Sequence, residues 1–390
     1  MKLPALFGYG FRPFFLAAAL AAVALIPWWA GSLTLGVPLP GAWPASLWHA
    51  HEMLFGFIAA ALAGFLLTAV PSWTSERGFA GWPLVILASV WLLGRFFVAT
   101  AAHWPLAVYA TADLAFLPAL AAFLLPPLVR NRNRNARLLV VLAALCTVNA
   151  TFYWALAHAN PGLARSALLA GVNLVLLLVT VIGGRIVPAF TSSALKQQGR
   201  HSTLRTSPVV SVAAVAAMVG VLIIDLVLPQ SHLAGLMALV AAVAQAARLS
   251  QWQPFRTLRL PIVWILHLAY AWLPVGLALK SLALLAGWGT SLSWMHALTI
   301  GAAATMILAV MTRASLGHTG RALVVNPPIV LAYVLLTAAT LVRVLGPGTS
   351  LFSYVQVVTL AAVLWTAAFA LFLFVYVPIL MSPRADGKPG

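Results

Sequence analysis

The chain has 390 residues, of which 63% are hydrophobic and only 7% are charged. Soluble domains carry about 25% charged residues, so this composition excludes a soluble protein and indicates an integral membrane protein. The net charge of +17 is attributed to cationic cytoplasmic loops and not to nucleic-acid binding. The single cysteine, Cys146, excludes an intrachain disulfide and a covalent C-x-x-C-H haem attachment.

Apolar runs of about 20 residues recur along the whole chain and are too long to be strands. We therefore predict an all-α integral membrane protein with about twelve transmembrane helices, which form a single polytopic domain over residues 1–390. The predicted spans are 12–30, 47–71, 81–101, 105–127, 136–157, 165–190, 207–228, 232–249, 260–286, 293–313, 325–346 and 352–381.

The lysine and arginine residues fall mostly in alternate loops, from Arg12 before the first span through the cluster between Arg130 and Arg137. Cytoplasmic loops of membrane proteins are enriched in these residues. Because twelve spans return the chain to the side on which it started, both termini are predicted to be cytoplasmic. Arg248, at the end of the eighth predicted span, continues the same alternation.

The second span begins with the segment Trp48-His49-Ala50-His51-Glu52, in a chain that has only five acidic residues and nine histidines. Polar groups at membrane depth are costly and usually functional. On a helix the two imidazoles point about 200° apart, so each would serve a different cofactor or partner; in an irregular segment both could bind one copper ion. Glu52 could accept an N–H from a ligating histidine. The alternative is a polar helix start with Trp48 as an interfacial anchor.

His267 lies about seven residues into the ninth span. It is interpreted either as a proton-path or ligand residue, or as a hydrogen-bonded core histidine. His296 opens the tenth span after Trp294, as His49 follows Trp48. One imidazole from each of these two helices would form a bis-histidine clamp for a b-type haem near the periplasmic side. A lone interfacial histidine is the alternative for His296.

The tenth span ends in a segment with two glycines around a His-Thr pair, between Arg313 and Arg321, with His318 at its centre. Such a loop could bind an anion or a carboxylate. Arg185 follows two glycines near the end of the sixth span, at the same predicted height. The alternative interpretation is an ordinary cationic loop with turn glycines.

Charged residues inside the spans must find partners. Arg95 and Asp113 fall near the outer ends of the third and fourth spans, where a helical hairpin can pair them. Lys280 and Arg343 also fall toward the outer face; they could meet haem propionates or extend to the interface.

Short matches between distant spans suggest an internal repeat. Val70–Ser75 ends the second span as Val187–Ser192 ends the sixth, and His296 precedes a glycine by five residues, as His51 does. A four-helix unit that occurs three times is the resulting hypothesis.

Six segments resemble the NnrS family, and the resemblance spans nearly the whole chain: Gly10–Phe15, Trp48–Gly56, Gly64–Thr74, Gly184–Thr191, His267–Tyr270 and Thr312–Arg321. The family is described as bacterial inner-membrane proteins that contain haem and copper and respond to nitric oxide and denitrifying conditions. The resemblance implies metal-binding roles for five histidines, with Glu52 and three arginines around them. The histidines are His49, His51, His267, His296 and His318, of which all but His318 are also candidate cofactor ligands, and the arginines are Arg185, Arg313 and Arg321.

The chain is also similar in architecture to the haem–copper oxidase and nitric oxide reductase subunits, which have twelve spans and histidine ligands on spans two and ten. Those proteins place further metal-binding histidines on spans six and seven. This chain has none in 165–190 or 207–228, so a binuclear centre of the oxidase type is not expected.

We therefore expect a multi-pass protein of the bacterial inner membrane that holds b-type haem, and copper as a second candidate cofactor. It would bind, sense or act on nitric oxide in the nitrosative stress response, as an oxidoreductase with a quinol or another electron donor, or without turnover. Its surroundings are the lipid bilayer, and no nucleic acid is expected. The alternative is a transporter of haem, copper or a small anion.

Overall fold

The computed structural model describes residues 4–41, 43–200, 204, 206–349 and 351–388. The described residues contain helices and no strands, and twelve of the helices are long and apolar enough to cross a membrane. The spans are Phe11–Thr34, Ala45–Thr74, Trp82–Ala99, Leu106–Arg130, Arg134–Ala157, Pro161–Gln197, Pro208–Val227, His232–Ser250, Pro261–Ala286, Ser291–His318, Pro327–Leu345 and Tyr354–Met381. The predicted all-α, multi-pass membrane fold is confirmed, whereas the cytoplasmic termini stay a prediction.

The spans begin where the sequence supplies helix-start residues. Spans 3, 7, 9 and 11 each have a proline within their first two positions, where its missing N–H costs nothing. Spans 7, 8 and 10 follow Ser207, Ser231 and Thr290, whose hydroxyl oxygens accept a hydrogen bond from a backbone N–H of the first turn. Local sequence therefore determines where these helices begin.

Spans 2, 6 and 10 each contain a π-helical segment, at Glu52–Ile58, Val179–Gly183 and Ala297–Ala304. Such segments are rare and disturb the regular hydrogen-bond ladder, and they occur frequently at functional sites. In each segment a carbonyl accepts a hydrogen bond from a side chain. Gly56 accepts from the Trp91 indole at 3.2 Å, Thr180 from Arg248 at 2.6 Å, and Ile300 from the hydroxyl of Thr305 at 3.0 Å.

The same three spans pair a polar side chain near the π segment with a charged residue close to the end of the following span. Glu52 pairs with Arg95, Asn173 donates to Asp225 at 2.8 Å, and His296 lies 3.0 Å from Arg343. These matched positions are those that a repeated four-helix unit would produce, and they support that hypothesis.

The chain divides into two compact units by internal contacts. Unit 1 comprises Met1–Gly171, Met311–Leu323 and Phe369–Gly390, and unit 2 comprises Val172–Val310 and Val324–Ala368. In unit 1, span 1 packs against span 2 and span 3 against span 4; in unit 2, span 9 packs against spans 8 and 10. A single domain over residues 1–390 stays a prediction.

Candidate functional site

A buried ionic cluster in unit 1 is built around the second span. His51 and Glu52 at the start of its π segment meet Arg95 of span 3 and Asp113 of span 4, and all of these except Arg95 are fully buried or nearly so. Gly94 allows spans 3 and 4 to approach, because a Cβ at that position would lie 3.1 Å from Asp113 Cα. The predicted Arg95–Asp113 ion pair forms, and Glu52 joins it.

Span 5 completes the cluster with two side chains one helical turn apart. The Asn149 amide donates to Asp113 Oδ2 at 2.9 Å, and the Tyr153 hydroxyl donates to the same oxygen at 3.0 Å. Residues four apart lie on one helix face, so both reach the same carboxylate. Sequence reasoning overlooked this pair, although a lone asparagine in an apolar run was the signal for it.

Both ring nitrogens of His51 face oxygen acceptors. Nδ1 lies 3.0 Å from a Glu52 carboxylate oxygen, and Nε2 lies 3.1 Å from Asn149 Oδ1 and 3.2 Å from an Asp113 oxygen. The expected contact between Glu52 and a neighbouring imidazole is therefore present. Because a metal ligand needs a nitrogen lone pair directed at the ion, this arrangement suits a hydrogen-bonding role for His51 better than ligation.

His49 faces a different part of unit 1. Its imidazole stacks on the Trp29 indole of span 1, with ring centroids 4.1 Å apart and planes at 20°. Ala45–His51 is α-helical, so the two imidazoles point to different neighbours, as helix geometry requires. An irregular segment that directs both at one copper ion is not what the structure contains.

Both ring nitrogens of His296 in unit 2 are hydrogen-bonded, one to a backbone carbonyl and the other to an arginine. Its Nδ1 lies 2.7 Å from the Leu292 carbonyl, an acceptor, so this nitrogen carries the proton. Nε2 then carries the lone pair, and a guanidinium nitrogen of Arg343 lies 3.0 Å from it. A backbone carbonyl that holds one ring nitrogen fixes the tautomer of a ligating histidine, and here the other nitrogen is directed at a cationic group.

His267 in span 9 is 4% exposed and has one hydrogen-bonded nitrogen. The Thr191 hydroxyl donates to the Val187 carbonyl at 2.8 Å, so its oxygen accepts from His267 Nε2–H, also at 2.8 Å. The lone pair is then on Nδ1, which has no hydrogen-bond partner among the described residues. A buried imidazole with an unused lone pair is consistent with a ligand.

Arg248 lies in the last turn of span 8 and is 4% exposed. Its guanidinium donates to the Thr180 carbonyl at 2.6 Å and to the Tyr270 hydroxyl at 3.3 Å. Tyr270 donates to Gln245, which donates to the Thr180 hydroxyl oxygen. Arg248 therefore stabilises the π segment of span 6, and this need outweighs its preference for the interface.

Gly184→Ala tests this contact. An added Cβ would lie 2.0–2.3 Å from guanidinium atoms of Arg248, which would have to abandon the buried Thr180 carbonyl. A buried acceptor left without its partner costs about 1–3 kcal/mol, so we expect a loss of that size in the free energy of unfolding, measured by denaturant titration. Gly162→Ala is the control, since only Asn160 Oδ1, at 3.5 Å, comes near the new methyl group. Equal stability of the two variants would contradict this role for Arg248.

Lys280 is buried in unit 2 and does not extend to the interface. Its ammonium bonds both carboxylate oxygens of Asp225, and it lies 5.0 Å from the Trp294 ring centroid. Asn173 donates to the same carboxylate at 2.8 Å. The lysine is thus committed to an internal ion pair.

The third group of predicted residues lies at the end of span 10 in unit 1. The His318 ring stacks on Tyr9 at 5.7 Å and packs against Phe11 at the same centroid distance. Arg321 donates to the Thr319 carbonyl at 3.4 Å, and Arg313 is buried. Arg185, in contrast, is an exposed residue of unit 2.

Unit 1 contains the ionic cluster, His49 and the end of span 10, and unit 2 contains His296 and His267. Within the described part of the chain, no group of three or more His, Cys, Asp or Glu residues is arranged to hold a metal ion.

Comparison with known proteins gives one result that covers almost the entire chain. The family model described as NnrS protein matches residues 5–384. No curated protein matches the chain. The match includes all six segments on which the resemblance rested, so the chain belongs to the NnrS family.

Proposed function

We propose that this multi-pass membrane protein acts in the nitric oxide response of the bacterial inner membrane and holds a b-type haem through histidine. The carrying observation is the geometry of His296, whose Nδ1–H is held by the Leu292 carbonyl at 2.7 Å while Nε2 points at the Arg343 guanidinium. Membership of the NnrS family supports the same conclusion.

The donor chemistry of the chain fits a haem iron. Neutral imidazole nitrogen is a preferred iron ligand. His267 Nδ1 has no hydrogen-bond partner among the described residues, whereas His296 Nε2 accepts from Arg343, which would have to move before this nitrogen could bind iron. His49 is half-buried beside Trp29 and is the candidate from unit 1. His51 and Glu52 fit a supporting role, because the His51 nitrogens face oxygen acceptors. Copper at His267 or His318 is the second cofactor that we propose.

The chain's own residues would hold the cofactor and keep water away from it. Bound haem iron would supply a coordination position for nitric oxide and a path for one electron from a quinol or another donor. Arg343 is a cation beside His296 that could meet a haem propionate. Nitric oxide is small and apolar, so it can reach a site between the spans through lipid. The cation distribution supports a periplasmic location for His49 and His296.

Replacement of the candidate ligands tests the proposal. His296→Ala, His267→Ala and His49→Ala should each reduce the haem content of the purified protein or shift its Soret band, because each removes a candidate nitrogen ligand of the iron. His158→Ala is the matched control, since this exposed histidine packs on Trp154 at the end of span 5. Spectra and haem content that stay unchanged in all three variants would refute histidine ligation at these positions.

A nitric oxide consumption assay with added quinol distinguishes the kinds of function. Bound haem with turnover indicates an oxidoreductase, and bound haem without turnover indicates a sensor or a protective binder. Protein purified without haem or copper would favour the alternative, a transporter.

A further inference from the structure

The end of the chain folds back on the loop after span 10. We call residues 382–388 the C-terminal strap and residues 317–321 the glycine loop. The Ala385 N–H donates to the Thr319 carbonyl at 2.9 Å, and the Arg384 guanidinium donates to the His318 carbonyl at 2.9 Å. Both elements belong to unit 1. The strap is therefore fixed to the loop by two hydrogen bonds to consecutive carbonyls.

The C-terminal strap places the Asp386 carboxylate against the glycine loop. Asp386 accepts two parallel hydrogen bonds from Arg384, at 2.9 and 2.6 Å, and a third from the Lys388 N–H at 3.3 Å. The carboxyl group lies directly against Gly320, where a Cβ would come within 2.5–2.8 Å of its atoms. Gly320 also has a φ of +71°. Only glycine combines this backbone conformation with this close approach.

Cationic groups converge at the same place. The Arg12 guanidinium is fully buried, donates to the carbonyls of Leu380 and Ser382 at 2.8 and 2.6 Å, and lies within electrostatic range of Arg321 and Arg384. Lys388 adds a further positive charge near Asp386. Of the five acidic residues, all of them within the described ranges, only Asp386 lies here; the others pair elsewhere or hydrogen-bond with Asn131. The cluster retains a net positive charge.

We propose that the glycine loop, Arg12, Arg321 and Arg384 form a phosphate-binding site, which Asp386 occupies from within the chain and which a phosphate group enters by displacing it. The two parallel N–H···O bonds from one guanidinium suit phosphate as well as carboxylate. The site lies at the ends of spans 1, 10 and 12, where a lipid headgroup and free phosphate are both within reach. This inference is independent of haem binding.

The Asp386 carboxylate stays charged at neutral and moderately acidic pH. The hydrogen bonds from Arg384 hold the pKa of Asp386 well below its usual range, so its folded-state ionisation persists through neutral and moderately acidic pH. Protonation therefore does not empty the site, and a second anion must compete for the guanidinium.

Binding of inorganic phosphate to the purified full-length protein, measured by titration calorimetry, tests the competition. Asp386→Asn keeps the side-chain shape but removes the competing charge. Because an exposed ion pair contributes little, loss of the competing carboxylate should tighten phosphate binding by only about three- to tenfold. Glu76→Gln is the control, since it changes the net charge equally and its carboxylate bonds the Asn131 amide, far from the strap in sequence. Equal tightening in both variants would show a general charge effect and overturn the proposal.

A second arm distinguishes the source of the phosphate. The same proteins in nanodiscs of phosphatidylglycerol or of phosphatidylcholine are compared by native mass spectrometry for retained lipid. Greater retention of phosphatidylglycerol by Asp386→Asn assigns a headgroup, and tightening with phosphate alone assigns the free ion; either supports the site. Adding Arg321→Gln to Asp386→Asn should reverse the gain. Unchanged affinity for both probes in Asp386→Asn, with a wild-type melting temperature, would refute the proposal.

Discussion

Arg95→Met is expected to lower the free energy of unfolding by about 3–5 kcal/mol, because breaking a buried ion pair leaves an uncompensated charge. Here the guanidinium serves two carboxylates, those of Glu52 and Asp113, which are 2% and 4% exposed. The loss should therefore lie at the upper end of that range. Unfolding in a denaturing detergent, followed by tryptophan fluorescence, measures it.

The double variant Arg95→Met with Glu52→Gln separates the effect of the stranded charge from that of lost packing. It removes one of the two stranded charges and leaves Asp113, whose carboxylate keeps hydrogen bonds from Asn149 and Tyr153. A substantial recovery of stability is expected. If the single and double variants are equally unstable, the damage would come from lost packing of the arginine side chain and not from charge.

Lys280→Met is the second large effect, again about 3–5 kcal/mol, because it strands the Asp225 carboxylate in unit 2. Asp225 is 3% exposed, and one neutral donor, the Asn173 amide at 2.8 Å, cannot replace the ammonium charge. The measurement is the same detergent unfolding.

Lys280→Met combined with Asp225→Asn provides the control. The new amide can still accept the Asn173 hydrogen bond, and no buried charge remains, so stability should return to within about 1–2 kcal/mol of the wild type. A double variant as unstable as Lys280→Met would contradict the claim that charge neutralisation is the role of this lysine.

Sequence reasoning reached the Arg95–Asp113 pair because both charges lie on consecutive spans joined by a short turn. It did not reach Asn149 or Tyr153, which lie on span 5, because nothing local says which face of that span meets Asp113. For the same reason, sequence reasoning left two alternatives open for Lys280, contact with a haem propionate or extension to the interface. Its partner in the structure, Asp225, lies two spans earlier in the chain.

In the second span, too, the sequence predicted the local structure, whereas packing decided the contacts of the side chains. The sequence of Trp48–Gly56 predicted a polar helix start and left open whether its two imidazoles face different neighbours or bind one copper ion. In the structure the segment is helical, and His49 and His51 face Trp29 and Asn149, respectively. What the imidazoles would do depended on their neighbours. His51 has oxygen acceptors at both ring nitrogens, whereas His296 has a carbonyl at Nδ1 and the Arg343 guanidinium at Nε2.

The sequence by itself determined the class of protein, the number of spans and where most of them begin. The hydrocarbon core of the bilayer requires each span to be long and apolar by itself, so these properties can be read from the local sequence. Only the tertiary structure decided that Arg248 is buried, that Lys280 pairs with Asp225 and that Asp386 lies against Gly320. Each buried polar group must be satisfied by another span or segment, and the identity of that partner depends on packing between residues far apart in the chain.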